Sequence, residues 1–403
     1  MGMIRKMKRN RLVLYVTLGL LCLLVAGSFL IHTQCLKPSI SYYSILEDHI
    51  RQRQTEDRSK YVLLYTNFFD VKNWKLTAET VGPDYFQSIH CPEKDCVLTN
   101  NRELLPAITD YDALVFHIAE PWAYSLFEKV PKLRSPRQIY VAANMESPAH
   151  TKHLLAGDHD FFNWTMTYRL DSEVVWNYNN FVDVETGLVV GPSDRPQWRT
   201  DFDEYYNETL LEMAMEKSKM GVQFVSHCGT ISKRDDLVRE IQRLMEVDVY
   251  GKCGTLTCPR GSPRCAQMLT SDYRFYFAFE NSLCRDYITE KVYNVMDTSF
   301  IVPVVFGGAD YSKFLPPYSY IDAQQFASVP ELVDYLMYLA QNPKEYVKYF
   351  WWKDHYRITG SQPFCDLCRK LHAIGTRERV QYYTDIDAWW FDGACQAEAK
   401  IKF

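Results

Sequence analysis

From residue 59 onward the chain alternates short apolar runs with polar or helix-period stretches. Tyr61–Tyr65, Ala113–Ile118, Gln138–Ala142 and Trp164–Tyr168 are rich in Val, Ile, Leu and aromatic residues, and each reads as a strand. Gly191-Pro-Ser-Asp-Arg-Pro196 then interrupts the pattern with loop composition. Beyond it Glu208–Met220 reads as a helix, Val222–Ser226 as a strand and Lys233–Met245 as a helix. Val247–Tyr250 and Tyr273–Phe279 follow as strands, Thr289–Met296 as a helix and Phe300–Phe306 as a buried strand. Repeated strand–helix alternation implies parallel sheets. Two such series, parted near 191–220, predict an α/β chain with two doubly wound, Rossmann-like domains, 59–205 and 206–403, facing a cleft. In such sheets ligands bind beyond the carboxyl ends of the strands.

The N-terminus has a different pattern. Leu12–Ile31 carries no charge, and about 20 apolar residues are what a helix needs to cross a bilayer. Arg5, Lys6, Lys8, Arg9 and Arg11 precede it, whereas the first cation after it is Lys37. Lysine and arginine stay on the cytoplasmic side, so the asymmetry predicts a cytoplasmic tail at 1–11, an uncleaved signal-anchor helix at 12–31 and a lumenal remainder. The run exceeds the ~7–15 residues of a signal-peptide core, although Ala26, Gly27 and Ser28 offer small residues for cleavage. Residues 32–58 are polar, without a durable apolar period, and read as a stem.

Charge narrows the partners. With net charge −5 and a pI near 6.1 the chain has no basic field for nucleic acid, so an anionic ligand would be held by a few placed cations. Of the 12 cysteines, Cys22 and Cys35 belong to the N-terminal region, leaving an even ten. An oxidising lumen favours disulfides for these; the Cys253-x4-Cys258 and Cys365-x-x-Cys368 spacings keep zinc as the alternative. Asn163-Trp-Thr and Asn207-Glu-Thr are sequons for N-glycosylation, the first inside a strand-like run where access is poor.

The stretch richest in chemistry is Phe277-Ala-Phe-Glu-Asn281 followed by Asp286-Tyr-Ile-Thr-Glu-Lys291. A strand runs into a turn bearing Glu280 and Asn281, and a helix opens at Thr289. A helix start offers free N–H groups and positive dipole, and Lys291 adds a full charge: a site suited to a diphosphate. Glu280 or Glu290 could accept from sugar hydroxyls. The plainer reading makes Thr289 an N-cap and Lys291 a solvated cation.

Phe279-Glu-Asn-Ser with Asp286-Tyr-Ile-Thr-Glu-Lys291 resembles the donor signature of the α1,3/4-fucosyltransferase family. The resemblance continues in Asn144-Met-Glu-Ser-Pro-Ala-His150, in Asn163-Trp-Thr-Met-Thr-Tyr-Arg-Leu-Asp-Ser172, in Val225-Ser226 followed by Arg234, and in Tyr318-Ser-Tyr-Ile-Asp322, so that it spans about 60 to 395. It implies the two-domain GT-B fold and an inverting transfer of L-fucose from GDP-fucose to the 3-hydroxyl of a GlcNAc on a glycoprotein glycan, in the Golgi membrane. Glu146 matches the family's catalytic base, and burial would raise its pKa and strengthen it as a base. Arg234 and Lys291 match its phosphate-binding cations, Glu290 a donor-contacting position, and Tyr287, Glu280 and Asn281 join the donor set. The resemblance also implies that the C-terminal Cys365 and Cys368 pair with N-terminal cysteines, Cys91 and Cys96 being the obvious partners. Features around Cys253–Pro259 and Cys365–Trp390 resemble invertebrate enzymes acting on the N-glycan core; an outer N-acetyllactosamine acceptor is the alternative. A catalytically silent glycan-binding protein on the same scaffold is a further reading, disfavoured because Glu146, Arg234 and Lys291 are all present.

A metal is the other device for a departing diphosphate. Asp110/Asp112, Asp158/Asp160, Asp201/Asp203 and Asp385/Asp387 form Asp-x-Asp pairs, but none follows a clear apolar strand leading into the donor motif. The expectation is therefore no required cofactor or metal, with manganese stimulation compatible with diphosphate chemistry.

Overall fold

Parallel strands covered on both faces should read as unbroken apolar runs, and the longest runs here do so. Ala113–His117, Ile139–Asn144 and Val302–Phe306 are buried at every residue. A computed structural model of the chain describes residues 59–403, apart from 70, 72–73, 75–81, 83, 120–130, 132, 152–159, 260 and 375–380. The expected anchor at 12–31 and stem at 32–58 lie outside the described residues. Among the described residues no helix is long and apolar enough to cross a membrane.

Strands β1 (Lys60–Leu64), β2 (Cys96–Thr99), β3 (Ala113–His117), β4 (Ile139–Asn144), β5 (Trp164–Thr167) and β6 (Val174–Val175) form one sheet. Its order is β2-β1-β3-β4-β5-β6 and every pairing is parallel. Alternate residues face opposite sides, as the two-residue period of a strand requires. Val62, Leu64, Val115 and Val141 pack on Phe364, Leu367 and Leu371 of the helix Pro363–Ala373. Leu63, Leu114, Phe116 and Tyr140 pack on the other side with Ile386. Both faces of this sheet are thus partly closed by segments from the far end of the chain.

A three-stranded antiparallel sheet comes next along the chain, pairing β7 (Asn179–Asp183) with β8 (Val189–Gly191) and, distantly, with Tyr356–Gly360. The third sheet contains β9 (Lys219–Phe224), β10 (Val247–Tyr250), β11 (Tyr273–Phe279), β12 (Val302–Phe306) and β13 (Ile321–Asp322). It too is all parallel, ordered β10-β9-β11-β12-β13. Phe275, Phe277, Val302 and Val304 pack on Leu237, Ile241, Leu332 and Leu336 on one face. Tyr276, Ala278 and Val305 meet Val292, Tyr293 and Met296 on the other.

In this order the chain moves outward from β9 to β10 and then returns to the other side of β9 with β11. The carboxyl ends of β9 and β11 therefore open a crevice between loops that diverge, which is where an open parallel sheet binds ligands. Helix Glu208–Glu216 is shorter than the sequence pattern implied. The chain turns extended at Lys217, whose buried Nζ donates to the Tyr273 carbonyl at 2.9 Å and also to Thr270 O, and β9 begins two residues later.

Candidate active site

Two loops meet at the crevice. The first runs from the end of β9 to the helix Arg234–Gln242, the second from the end of β11 to the helix Glu290–Thr298. Arg234 is 3% exposed and ties them together. One terminal nitrogen of its guanidinium donates to Phe279 O at 2.8 Å and the other to His227 O at 2.7 Å. Its Nε is buried with no hydrogen-bond partner. Burial pulls the Arg234 pKa below the ordinary value, against Asp235 and Glu280, yet a guanidinium stays charged at any physiological pH. Ser232 completes the tie, its Oγ donating to Glu280 O at 2.8 Å and its N–H to Asn281 O at 3.2 Å.

The second loop is built around Glu280, which is 1% exposed. Its carboxylate accepts from Thr289 N at 2.8 Å, from Thr289 Oγ1 at 3.0 Å and from Lys291 Nζ at 2.9 Å. Lys291 Nζ also donates to Thr289 Oγ1 at 2.7 Å. Two of its three N–H bonds are thus spoken for, and its side chain is 25% exposed. Burial opposes the ammonium, but Glu280 and then Glu290 outweigh it and hold the Lys291 pKa above the ordinary lysine range. The pair's contribution is full below the unfolded pKa of about 10.4 and is lost as pH rises through the higher folded value. Glu290 itself faces solvent, with its side chain 55% exposed.

Glu146 follows β4 of the first sheet. The buried Asn144 side chain clamps its backbone from both sides: Asn144 Oδ1 accepts from Glu146 N at 3.0 Å, and Asn144 Nδ2 donates to Glu146 O at 3.1 Å. Tyr178 OH donates to Met145 O at 2.8 Å. Next along the chain, Ser147 Oγ accepts from Ser282 Oγ at 2.8 Å, joining the Glu146 turn to the Glu280–Thr289 loop. His150 and His227 approach with ring centroids 5.9 Å apart, and His150 interacts with Glu146, Arg234 and the Asn281 backbone. The Glu146 turn, Arg234 and the helix start bearing Lys291 thus border one crevice; Lys291 is the more exposed of the two cations, and the terminal nitrogens of Arg234 are held on main-chain carbonyls.

The comparisons with known proteins bear on this arrangement. Residues 214–389 match the family model described as glycosyltransferase family 10 (fucosyltransferase) C-term, and residues 57–179 match the fucosyltransferase N-terminal model. Alpha-(1,3)-fucosyltransferase C of Drosophila melanogaster is 44% identical over 394 residues, covering 97% of this chain and 90% of that protein. The chain belongs to the family 10 fucosyltransferases. Glycoprotein 3-alpha-L-fucosyltransferase A of Drosophila melanogaster is 31% identical over 326 residues, covering 80% of this chain and 60% of that protein. The human 4-galactosyl-N-acetylglucosaminide 3-alpha-L-fucosyltransferase FUT6 is 32% identical over 306 residues, 74% of this chain and 75% of that protein. A crystal structure of an alpha1,3-fucosyltransferase with GDP-fucose aligns over 84% of this chain and 90% of its own, with TM-score 0.42 and 13% identity. This fucosyltransferase is accordingly a glycosyltransferase, an enzyme, and the silent glycan-binding reading falls.

Its structure corrects several expectations drawn from the sequence. Glu280 does not present its carboxylate to solvent: both oxygens are taken by Thr289 and Lys291, so it positions the cation. Tyr287 is 2% exposed, its ring buried beside Tyr168 at 5.1 Å; its hydroxyl is pushed well above the ordinary range by burial, then by Tyr178, Glu146 and Glu280. Asn163 cannot carry a glycan in this fold. It is 3% exposed, its Nδ2 donates to Gln381 O at 2.9 Å, and its Oδ1 accepts from Tyr140 N and Arg134. Asn207, half-buried, caps helix Glu208–Glu216 through Leu210 N.

All ten described cysteines of this fucosyltransferase that form bridges do so in five pairs. Cys91–Cys365 and Cys96–Cys368 join the ends of the chain as the resemblance implied. Closing so long a loop removes roughly 5–6 kcal/mol of unfolded-chain entropy in the simplest estimate; the second bridge, beside the first, adds less. Cys253 pairs with Cys228 and Cys258 with Cys265, so neither belongs to a zinc site, and Cys284 pairs with Cys395. His372 approaches Cys96 and Cys368, but both sulfurs are already in a disulfide.

Proposed function

We propose that this fucosyltransferase carries L-fucose from GDP-β-L-fucose to the 3-hydroxyl of a GlcNAc on a glycoprotein glycan, with inversion. Glu146 is the base, and Arg234 with Lys291 receives the diphosphate; Asn281 and Glu290 border the donor. The observation that carries this reading is the Ser147–Ser282 contact, which sets the turn holding Glu146 against the loop anchoring Lys291. A GlcNAc hydroxyl is a poor nucleophile and needs a carboxylate to take its proton as the new C–O bond forms. The GDP oxygen gains charge as the old bond breaks, and preorganised cations are worth most there. On this reading the two parallel sheets belong to acceptor and donor domains of the GT-B kind.

The N-glycan core is the acceptor favoured by the sequence features around Cys253 and Cys365. The name of the Drosophila relative that acts on glycoproteins is in keeping with that choice. The human relative acting on 4-galactosyl-N-acetylglucosaminide supports outer N-acetyllactosamine as the second reading. Incubating residues 59–403 with GDP-fucose and a panel holding both acceptor classes, with product linkage read by NMR, decides between them. No transfer to either class from a folded, GDP-binding fragment would reject both.

The basic-flanked apolar run and the polar segment after it support a type II anchor in the Golgi membrane, with the rest lumenal. A fragment starting near residue 59, fused to a cleavable secretion signal, is expected to be secreted, soluble and active, whereas the full chain is retained in the Golgi. A folded but inactive fragment would argue against that division.

Metal dependence follows from the cations. Arg234 and Lys291 supply the charge a divalent ion would otherwise bring. Asp385 instead caps the helix Ile386–Phe391, and Asp112 accepts from Tyr61 N at 2.9 Å. EDTA is therefore expected to leave most of the turnover, measured as GDP release. Complete loss, restored by manganese, would move the leaving-group role to a metal.

A further inference from the structure

The loop Glu280–Thr289 does not hold its shape alone. Asp286 sits at φ +60°, a left-handed conformation that side chains other than glycine adopt mainly when their surroundings impose it. The residues just before it are held by the C-terminal tail. Arg285 N donates to Ala394 O at 2.7 Å, and Gln396 N donates to Leu283 O at 2.7 Å. Between these two bonds lies the Cys284–Cys395 disulfide, so a short antiparallel bridge is closed covalently. On the other side, Asp286 Oδ2 accepts from Leu170 N at 3.2 Å. Arg285 reaches Asp171 at 2.5 Å, and Arg169 grips the same Asp171 at 2.7 Å.

The tail itself is anchored to the first sheet. Tyr383 N donates to Phe162 O at 2.8 Å and Asp160 N donates to Tyr383 O at 3.0 Å. The Arg169 guanidinium lies 3.9 Å from the centre of the Trp389 ring and donates to the Trp389 carbonyl. Trp390 is fully buried with Tyr168, Tyr287 and Cys284. One continuous segment, Tyr383–Gln396, thus reaches from the strands of the first sheet to the backbone of the loop that carries the donor-side residues.

We propose that this tail is a positioning strap for the donor loop, with Cys284–Cys395 as its clasp and Arg285–Asp171–Arg169 as its second fastening. None of these residues touches the donor. They act through Glu280, Thr289 and Lys291, by keeping the loop in the one conformation where those groups meet. The inference rests on the donor-site reading above. A loop that is competent only part of the time weakens apparent binding by the fraction of time it is competent, without altering the chemistry once the donor is bound.

The test compares the double substitution Cys284→Ser/Cys395→Ser, which leaves no odd thiol, with wild type and with Cys258→Ser/Cys265→Ser. The second pair opens a disulfide outside the strap. KM for GDP-fucose and Kd for GDP are expected to rise about ten-fold in the first variant, as for a loop competent roughly a tenth of the time, with kcat within about two-fold. The control is expected to keep both constants. Asp171→Asn, at a half-exposed carboxylate whose loss the fold should tolerate, keeps the question open to refutation if the double variant fails to fold. It is expected to raise the same two constants by a smaller factor and leave kcat alone. Unchanged KM and Kd in a folded Cys284→Ser/Cys395→Ser enzyme, or in Asp171→Asn if only that one folds, would overturn the strap. So would a fall in kcat with KM constant. A wild-type enzyme that binds no GDP would instead overturn the donor site on which it rests.

Discussion

Glu146→Gln is expected to lower turnover by about 10²–10⁴-fold, the usual worth of a positioned general base. The substitution is close to isosteric, and the backbone at 146 is held by the Asn144 side chain, so the turn should keep its place. What disappears is the ability to take a proton. Initial rates at saturating GDP-fucose and acceptor measure the effect. Glu146→Gln with wild-type turnover would remove Glu146 from the base role. Glu280 is then a poor successor, because both its oxygens are buried in contacts with Thr289 and Lys291.

Lys291→Ala is expected to cost roughly 2.7–4 kcal/mol of barrier, by analogy with the removal of one preorganised donor to a developing anion. It should also lower stability, because Glu280 would keep its burial and lose its cation. Breaking a fully buried pair costs about 3–5 kcal/mol, and the quarter-exposed Lys291 places this one at the low end. The two effects separate in the double variant Lys291→Ala/Glu280→Gln. Replacing the stranded carboxylate with a neutral amide should recover part of the melting temperature and none of the turnover. If turnover recovers along with stability, Lys291 serves the fold and not the leaving group. Arg234→Lys should behave differently. A lysine cannot span Phe279 O and His227 O in the way the planar fork does, so both donor affinity and melting temperature should fall.

Much of this was legible in the sequence where a local signal matched the final environment. The strands of the two parallel sheets are continuous apolar runs, and runs such as Val302–Phe306 have no other place than a doubly covered sheet. The motif residues Arg234 and Lys291 lie where the order β10-β9-β11 opens a crevice, and their types already indicated anion binding. The antiparallel sheet could not be read in this way. Asn179–Asp183 is too polar to announce a strand, and its partner Tyr356–Gly360 lies far along the chain, so only the folded topology joins them.

Side-chain commitments were hidden for a similar reason. Nothing in Phe279-Glu-Asn reveals that Glu280 is spent on a helix start nine residues later, although its place directly after a buried strand was a warning. Cys228, Cys265, Cys284 and Cys395 carry no spacing that suggests their partners, because each bridge depends on which loops the sheets bring together. Asn163 shows the reverse error. The sequon is a local pattern, but Asn163 is consumed by Tyr140, Arg134 and Gln381, the last of them 218 residues away.

The proposed mechanism divides the labour between a base just after β4 of the first sheet and a receiver for GDP beyond β11 of the third. Calorimetric titration of GDP into Glu146→Gln tests that division most directly. The predicted result is a dissociation constant within about two-fold of wild type in an enzyme that has lost its turnover, since a change of 0.4 kcal/mol or so is all that two-fold represents. A Glu146→Gln protein that folds but binds GDP ten-fold more weakly would contradict it, placing Glu146 in the donor site and leaving the reaction without its proposed base.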